Sequence, residues 1–257
     1  MEFKLNQPSV EIPLSAGDMS QDEEYVLVDR GNFRKRVRIL DYCELYSMPG
    51  LYEQVVYNIL NCSSPKVITT MLKEQLLKED VQPKDLNVLD MGAGNGMLAE
   101  ELTSIGVEYI IGIDILDEAK SAAMRDRPSV YKDYLVTDLS KAGPKTMNEL
   151  EHMDINCIAS VASIGFGDIP PITLANAIDL GHENSWIALS IKEEFLKEID
   201  TTGISDLFSE LVKHEVIEIK EKKNYVHRRS ISGNELIYDA IIARKNQDIP
   251  AQIINNI

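Results

Sequence analysis

The sequence predicts an α/β protein whose doubly wound, mostly parallel sheet has seven strands, with an antiparallel C-terminal hairpin strand and a helical N-terminal cap. Beyond residue 83, short apolar runs alternate with stretches of helical period, and this alternation requires a parallel sheet covered on both faces. The last two β-rich runs have no helix between them, so they are expected to pair antiparallel at the sheet edge. A glycine-rich turn after the first run marks the expected ligand-binding edge.

The first 80 residues are predicted to form an extension and a cap. Residues 1–24 are polar and show no period, so we expect them to be extended or mobile. Two β-rich runs around a glycine predict a short hairpin within residues 25–40. Apolar residues then recur three and four positions apart over residues 50–78, with Ser64-Pro65 at the start of the second segment, which predicts two helices.

Residues 81–245 are predicted to form the sheet domain, and residues 246–257 a tail. The apolar runs are bounded by turn residues, and four of the intervening stretches carry helical period. Strands are predicted at 86–91, 107–115, 131–138, 154–162, 185–191, 214–222 and 234–245, and helices at 97–105, 117–124, 145–150 and 171–180.

The composition bears on the class of partner. A formal net charge of -16 opposes binding to nucleic acid or anionic lipid, because phosphate contacts need a concentrated basic face. The chain has three widely spaced cysteines without a CxxC pattern, an N-terminus without a basic and apolar leader, and no run of membrane-spanning length. We therefore expect a soluble cytoplasmic protein with a small-molecule substrate and no nucleic-acid or membrane partner. The densest basic run is interpreted as a solvated strand face: Arg34, Lys35, Arg36 and Arg38.

The glycine-rich turn has a spacing that distinguishes between ligands. In VLDMGAGNGMLAEEL, Asp90 ends the apolar run and is followed by Gly92, Gly94 and Gly96. Glycines at such a turn let the backbone approach a ligand without an intervening Cβ. A dinucleotide fingerprint would need its third glycine at position 97, which is Met97. The spacing instead resembles the DxGxGxG loop of class I S-adenosylmethionine-dependent methyltransferases, which have a Rossmann-like fold.

This resemblance implies roles for the acids at three successive strand ends. Asp90 would help to hold the ammonium of the donor's amino-acid end, and Asp114 would accept hydrogen bonds from both ribose hydroxyls. Asp138 would contact the adenine amino group, with Ile115 or Leu139 against the ring. Further cofactor contacts are implied for the loop and the fourth strand, namely for Met91, Gly92, Ala93, Gly94, Gly96, Met97 and Ser160.

Within this class the chain is similar to small-molecule methyltransferases of the Williams-Beuren-region-like branch. Tyr52-Glu53 and Pro65 resemble that branch's YD-type pair and its proline-started helix. Residues 166–171 stand where the branch has its G-H-x-P-P motif, with Asp168 in place of the usual His. The chain also lacks the branch's PGG before the fifth strand.

The resemblance implies in-line methyl transfer to an oxygen, nitrogen or carboxylate of a metabolite. Positioning and desolvation supply most of the catalysis of such a reaction, and a base helps only when the nucleophile is a hydroxyl. Asp168 and His182 are the candidate bases. Tyr52, Tyr57 and Phe166 are the candidate substrate contacts, and an aromatic ring there would either line the substrate pocket or contact the sulfonium.

Several alternatives stay open. Each strand-end acid has a structural alternative as a helix or turn cap. The altered motifs are also consistent with a non-catalytic cofactor-binding protein that has a regulatory or assembly role. The predicted fold is also consistent with an NAD-dependent oxidoreductase. The N-terminal hairpin would serve as a lid or as the arm of a homodimer. The histidines and cysteines lack metal-ligand spacing, so no metal is predicted.

Overall fold

The computed structural model describes residues 8–13, 19–31, 33–164, 169–196 and 200–254. Its strands are β1 Ser9–Glu11, β2 Tyr25–Asp29, β3 Arg34–Arg38, β4 Asn87–Met91, β5 Tyr109–Asp114, β6 Asp133–Val136, β7 Cys157–Ile164, β8 Trp186–Lys192, β9 Ile217–Arg229 and β10 Glu235–Lys245. Its α-helices are α1 Tyr42–Ser47, α2 Ser64–Lys78, α3 Met97–Ser104, α4 Asp117–Asp126, α5 Pro144–Glu151, α6 Pro171–Asp179, α7 Ile204–Lys213 and α8 Ala251–Ile254. A π-helical segment, Glu53–Ile59, lies between α1 and α2.

The large sheet confirms the predicted fold class. Its seven strands lie in the order β6-β5-β4-β7-β8-β10-β9. The five strands from β6 to β8 are parallel, whereas β10 pairs antiparallel with both β8 and β9. Chain order reverses between β4 and β7, which creates a crevice at the carboxyl ends of these strands, where α/β sheets bind ligands.

Helices cover both faces of this sheet, as parallel strands require. On one face α5, α6 and α7 bury a core that includes Leu150, Leu174 and Leu211. On the other face α2, α3 and α4 bury a second core that includes Leu72 and Leu98. The strands between them are therefore apolar on both sides, which explains their continuous apolar runs in the sequence.

The N-terminal strands form a separate three-stranded sheet that packs against the cap. β2 pairs with β3 in the region of the predicted hairpin, and β1 adds to the other edge of β2. Val26 of this sheet shares a core with Leu45 of α1. Buried Glu24 accepts from the Arg228 guanidinium at 3.2 Å and from the Ile231 amide at 2.6 Å, which ties this sheet to the β9–β10 hairpin.

Besides α1, which precedes the predicted helical stretch of residues 50–78, three elements were not among the predicted strands and helices. β1 has only three residues and forms by pairing with β2 rather than from a local pattern. The four-residue α8 lies in the predicted tail. The ten residues of α7 did carry a readable signal, because Ile204, Leu207 and Leu211 are buried at helical spacing. Within the described residues, the helices are too short or too polar to cross a membrane.

Candidate functional site

The glycine-rich loop joins β4 to α3 at the crevice. Gly92, Gly94 and Gly96 have φ values of +72°, +53° and +88°, a backbone region that disfavours side chains. A Cβ at Gly92 would lie 2.7 Å from Cβ of Ser163, and one at Gly94 would lie 2.5 Å from Oη of Tyr46. Two of the three glycines are therefore required both by their conformation and by lack of space.

Asp114, at the end of β5, is fixed against this loop. Its Oδ2 accepts from the Gly94 amide at 2.9 Å, and its Oδ1 accepts from the Leu116 amide at 3.0 Å. Burial raises the pKa of this carboxyl, although the amide hydrogen bonds oppose that shift. Each carboxylate oxygen has a second lone-pair direction, so the group retains the capacity to accept two further hydrogen bonds.

Asp90, at the end of β4, is a buried acid without a cationic partner among its described contacts. Asp90 is 1% exposed, and the Tyr131 hydroxyl donates to its Oδ2 at 2.8 Å. Burial raises the pKa of Asp90 to about 7, the Tyr131 hydrogen bond opposes the shift, and the charge of Asp114 adds to it. A buried carboxyl with a strongly raised pKa, located in a crevice, is typical of a functional site.

Asp138, which follows β6, caps a turn, and this is the structural alternative considered for that acid. It accepts from the Ser140 amide at 2.9 Å, the Ser140 hydroxyl at 2.6 Å and the Lys141 ammonium at 2.9 Å. These hydrogen bonds, those of Ser140 first, lower the pKa of Asp138 to about 2. Asp138 nevertheless lines the crevice together with Leu139 and Ile115, and Ile115 is 62% exposed.

A cavity of about 280 Å³ occupies the crevice. Its charged wall consists of Asp114 and Asp138, and its remaining wall is mostly apolar or aromatic. The lining residues are Tyr42, Tyr46, Tyr52, Met91, Gly92, Ile113, Asp114, Ile115, Leu116, Thr137, Asp138, Leu139, Val161, Ala162, Ser163, Ile169, Pro170 and Thr173.

A smaller cavity of about 30 Å³ adjoins it over the glycine-rich loop. Asp90, Ala93, Gly94, Met97 and Tyr57 line this smaller cavity. Five residues line both cavities and so form their junction: Tyr46, Tyr52, Gly92, Val161 and Ala162.

Comparison with known sequences gives a partial match. No family model matches the chain. A ribosomal protein L11 methyltransferase of Lactobacillus gasseri is 30% identical over 96 residues, which are 37% of this chain and 28% of that protein. The chain thus matches less than a third of the length of this relative.

Solved structures extend the similarity over most of the chain. A magnesium protoporphyrin IX methyltransferase from Synechocystis, solved with S-adenosylmethionine bound, has a TM-score of 0.51 at 13% identity and matches over 80% of this chain and 98% of its own. A methyltransferase from Anabaena variabilis, described as dependent on S-adenosylmethionine, has a TM-score of 0.50 at 15% identity. It matches over 82% of this chain and 96% of its own. The chain has the class I methyltransferase fold.

Within this class I fold, most of the predicted cofactor residues come together. The two cavities account for the acids and for most of the loop. Gly96 lines neither cavity and is the N-cap of α3, and a Cβ at this position would lie 3.2 Å from the Tyr131 ring. Ser160 is fully buried, donates to the Met91 carbonyl at 3.1 Å and does not line the cavities, whereas the neighbouring Ser163 does.

His182 is not brought to the site, which corrects its prediction as a base. It lies near the amino ends of β7 and β8, at the opposite edge of the sheet, because it follows α6 rather than a strand. Its side chain is 55% exposed, and its Nε2 pairs with Oδ1 of Asp154 at 2.8 Å. The other candidate base, Asp168, and the substrate candidate Phe166 lie outside the described residues.

The cap contributes two site residues that the sequence interpretation missed. Tyr42 and Tyr46 line the large cavity from α1, and the Tyr46 ring lies 4.8 Å from the Tyr52 ring between centroids. Arg125 of α4 donates to the Tyr46 carbonyl at 3.1 Å and so anchors the end of α1. The spacing of four between the two tyrosines, just after the helix cap Asp41, was the available signal.

A polar cluster attaches the π-helical segment to the glycine-rich loop. Glu53 accepts from the Asn95 amide at 2.6 Å and from the Arg127 guanidinium at 2.7 Å. Arg127 also donates to Glu100 at 2.8 Å. Because Asn95 belongs to the loop, the position of the loop depends on the cap. The described residues contain no group of three His, Cys, Asp or Glu side chains arranged to hold a metal.

The contact between Gly94 and Tyr46 leads to a first prediction. Gly94→Ala should cost about 1–2 kcal/mol of stability through left-handed strain, and it should weaken binding of the expected cofactor, S-adenosylmethionine, about tenfold, because the new methyl group displaces Tyr46. Gly233→Ala is the matched control, since Gly233 also has positive φ, +89°, but has open space around it. Chemical denaturation and calorimetry measure both effects. Equal donor affinity in the two variants would contradict the assigned contact.

Proposed function

We propose that the chain binds S-adenosylmethionine and transfers its methyl group. The observation that carries this proposal is the carboxylate of Asp114, held by two backbone amides at the wall of the large cavity. A vicinal diol is the ligand group that suits two fixed carboxylate oxygens with unused lone pairs. The ribose of the donor would bind there, with its adenine between Ile115 and Leu139 and its amino group toward Asp138.

The smaller cavity fits the amino-acid end of the same molecule. Asp90 is a buried carboxylate that an ammonium would neutralise, and the backbone around Gly94 leaves space that a Cβ would fill. The two cavities adjoin, as one ligand with a nucleoside half and an amino-acid half requires. The similarity in fold to a methyltransferase solved with this donor supports the assignment.

The proposed chemistry is an in-line displacement. The donor supplies a methyl group on a positively charged sulfur, and the acceptor's lone pair forms the new bond as the carbon–sulfur bond breaks. The chain's own residues bind and orient the two partners, and the cap tyrosines exclude water, which together can supply most of the rate enhancement. Asp168 remains our proposed base for a hydroxyl acceptor.

We propose an oxygen, nitrogen or carboxylate of a small metabolite as acceptor, as in the Williams-Beuren-region-like branch. Tyr52 and Tyr57 of the cap, together with Phe166, are the proposed substrate contacts. The 96-residue match to a ribosomal protein methyltransferase favours a protein acceptor as the second candidate. Incubation with donor labelled in the methyl group, followed by separate counting of small-molecule and protein fractions of a cell extract, distinguishes the two.

A non-catalytic regulatory or assembly role is the alternative to an enzyme. Its motivation is the altered branch motif around Asp168 and the missing PGG. It predicts tight donor binding without a labelled product from any acceptor, so a single methylated product would exclude it. We also propose a cytoplasmic protein, either monomeric or homodimeric, with no nucleic-acid or membrane partner, on the basis of the net charge of -16.

Calorimetry with S-adenosylmethionine tests donor binding directly. A second test compares the melting temperature with S-adenosylhomocysteine to that with NAD, because only a ligand of the native state raises the melting temperature. We expect stabilisation by S-adenosylhomocysteine and none by NAD. Stabilisation by NAD alone, or no calorimetric signal at millimolar donor, would refute the proposal.

The buried acid makes donor binding dependent on pH. Asp90 must be ionised to pair with the ligand ammonium, and its pKa in the free protein is about 7. The affinity for S-adenosylhomocysteine should therefore fall about tenfold from pH 7.5 to pH 6, as the carboxyl takes up a proton. Calorimetry at the two pH values measures this change. Asp90→Asn is the control, and the same tenfold change in that variant would contradict the assignment.

A further inference from the structure

The junction between the two cavities has an unusual composition. Two of its five members are the tyrosines Tyr46 and Tyr52, and the others, Gly92, Val161 and Ala162, carry no polar or aromatic side chain. Whatever part of a ligand passes through the junction therefore meets two aromatic rings and otherwise small or aliphatic groups.

The proposed function determines which ligand atom lies there, and the present inference rests on it. The ribose is assigned to Asp114 in the large cavity, and the ammonium to Asp90 in the small one. In the donor, the atom that joins the nucleoside to the amino-acid chain is the sulfur. The positively charged sulfonium must therefore pass between the two cavities, beside both tyrosine rings.

The positions of the two tyrosine rings and their neutral state suit this contact. Tyr46 is 6% exposed, and its ring lies 4.8 Å from that of Tyr52 at an interplanar angle of 43°. Burial raises the pKa of both phenols, so both rings stay neutral at physiological pH. A cation near the face of a desolvated aromatic ring is attracted by the ring's quadrupole, and a neutral thioether lacks this attraction.

We propose that Tyr46 and Tyr52 form a charge-selective contact that recognises the sulfonium and so distinguishes the methyl donor from its demethylated product. Transfer of the methyl group converts the sulfonium into a neutral thioether and removes the attraction. The contact therefore favours binding of S-adenosylmethionine before the reaction and release of S-adenosylhomocysteine after it. It positions the donor and takes no part in proton transfer.

The test compares the affinities of S-adenosylmethionine and S-adenosylhomocysteine by calorimetry in wild type and variants. Wild type should bind the charged donor about 5- to 30-fold more tightly than the product, as expected for a desolvated cation–π contact. The double substitution Tyr46→Leu with Tyr52→Leu should bring this ratio close to one. The corresponding double change to Phe keeps the rings and should keep the ratio.

The matched control is Tyr109→Leu, because Tyr109 lines neither cavity and its substitution should leave the ratio unchanged. Product binding by each variant shows that it is folded and that the rest of the site is intact. If the Leu variant loses both ligands equally, or retains the wild-type ratio, the inference is overturned while the proposed function stands. If wild type binds neither ligand, the proposed function itself fails.

Discussion

Asp114→Ala is expected to lower the affinity for S-adenosylhomocysteine at least about 100-fold. Each hydrogen bond from a ribose hydroxyl to a carboxylate contributes about 1.5–3 kcal/mol, and the substitution removes two of them. It also removes the acceptor of the Gly94 amide, so the glycine-rich loop loses the bond that holds it to β5. Calorimetry measures the affinity, and the melting temperature shows whether the variant is folded.

Asp117→Ala is the matched control for this experiment. Asp117 is an exposed acid in the first turn of α4, three positions from Asp114, and it does not line either cavity. The control should bind within about twofold of wild type, because a surface substitution of this kind has little effect. A folded Asp114→Ala variant with wild-type affinity would remove the ribose assignment.

Asp90→Asn is expected to stabilise the protein while weakening its donor binding. At pH 8 the wild-type carboxylate is ionised in a fully buried position, and the neutral amide removes that penalty. We expect a gain on the order of 2 kcal/mol, or about 4–8 °C in melting temperature for a chain of this size. The affinity for S-adenosylhomocysteine should fall about 10- to 100-fold with loss of the carboxylate–ammonium pair.

The sign of this stability effect depends on pH. The pKa of Asp90 is about 7 in the folded protein against 3.8 ordinarily, so the folded state favours the protonated form. Wild-type stability therefore falls as pH rises from about 4 to 7, and the gain from Asp90→Asn should appear over the same range. Below pH 4 the two proteins should be equally stable. Denaturation curves at pH 4 and pH 8 measure the difference.

Asp85→Asn controls for the change from acid to amide, since Asp85 is exposed just before the same strand, β4. It should leave stability unchanged at both pH values. A destabilised Asp90→Asn variant at pH 8 would show that the carboxylate supports the fold rather than the ligand.

The pattern of strands and helices was sufficient to predict the sheet. The parallel strands are buried on both faces, so each appears in the sequence as a continuous apolar run. Each helix between them appears as apolar residues three and four positions apart. The proximity of the three strand-end acids could be predicted for a related reason. Parallel strands end at one edge, so Asp90, Asp114 and Asp138 had to lie near one another once the sheet was predicted.

The cap contacts could not be predicted in the same way. Tyr46 meets Gly94 only because α1 packs on α4 and folds back over the loop, and no local pattern specifies that packing. The attachment of Glu53 to Arg127 joins residues 74 positions apart. His182 was misplaced for the opposite reason, because proximity to a strand in sequence does not say which end of the strand is near.

The central claim is that one donor molecule spans both cavities with its sugar on Asp114. A crystal structure with S-adenosylhomocysteine bound tests it most directly. We expect both ribose hydroxyls within hydrogen-bonding distance of the Asp114 carboxylate, the ammonium beside Asp90, and the sulfur between Tyr46 and Tyr52. A structure with the ligand elsewhere, or with the ribose turned away from Asp114, would contradict the account.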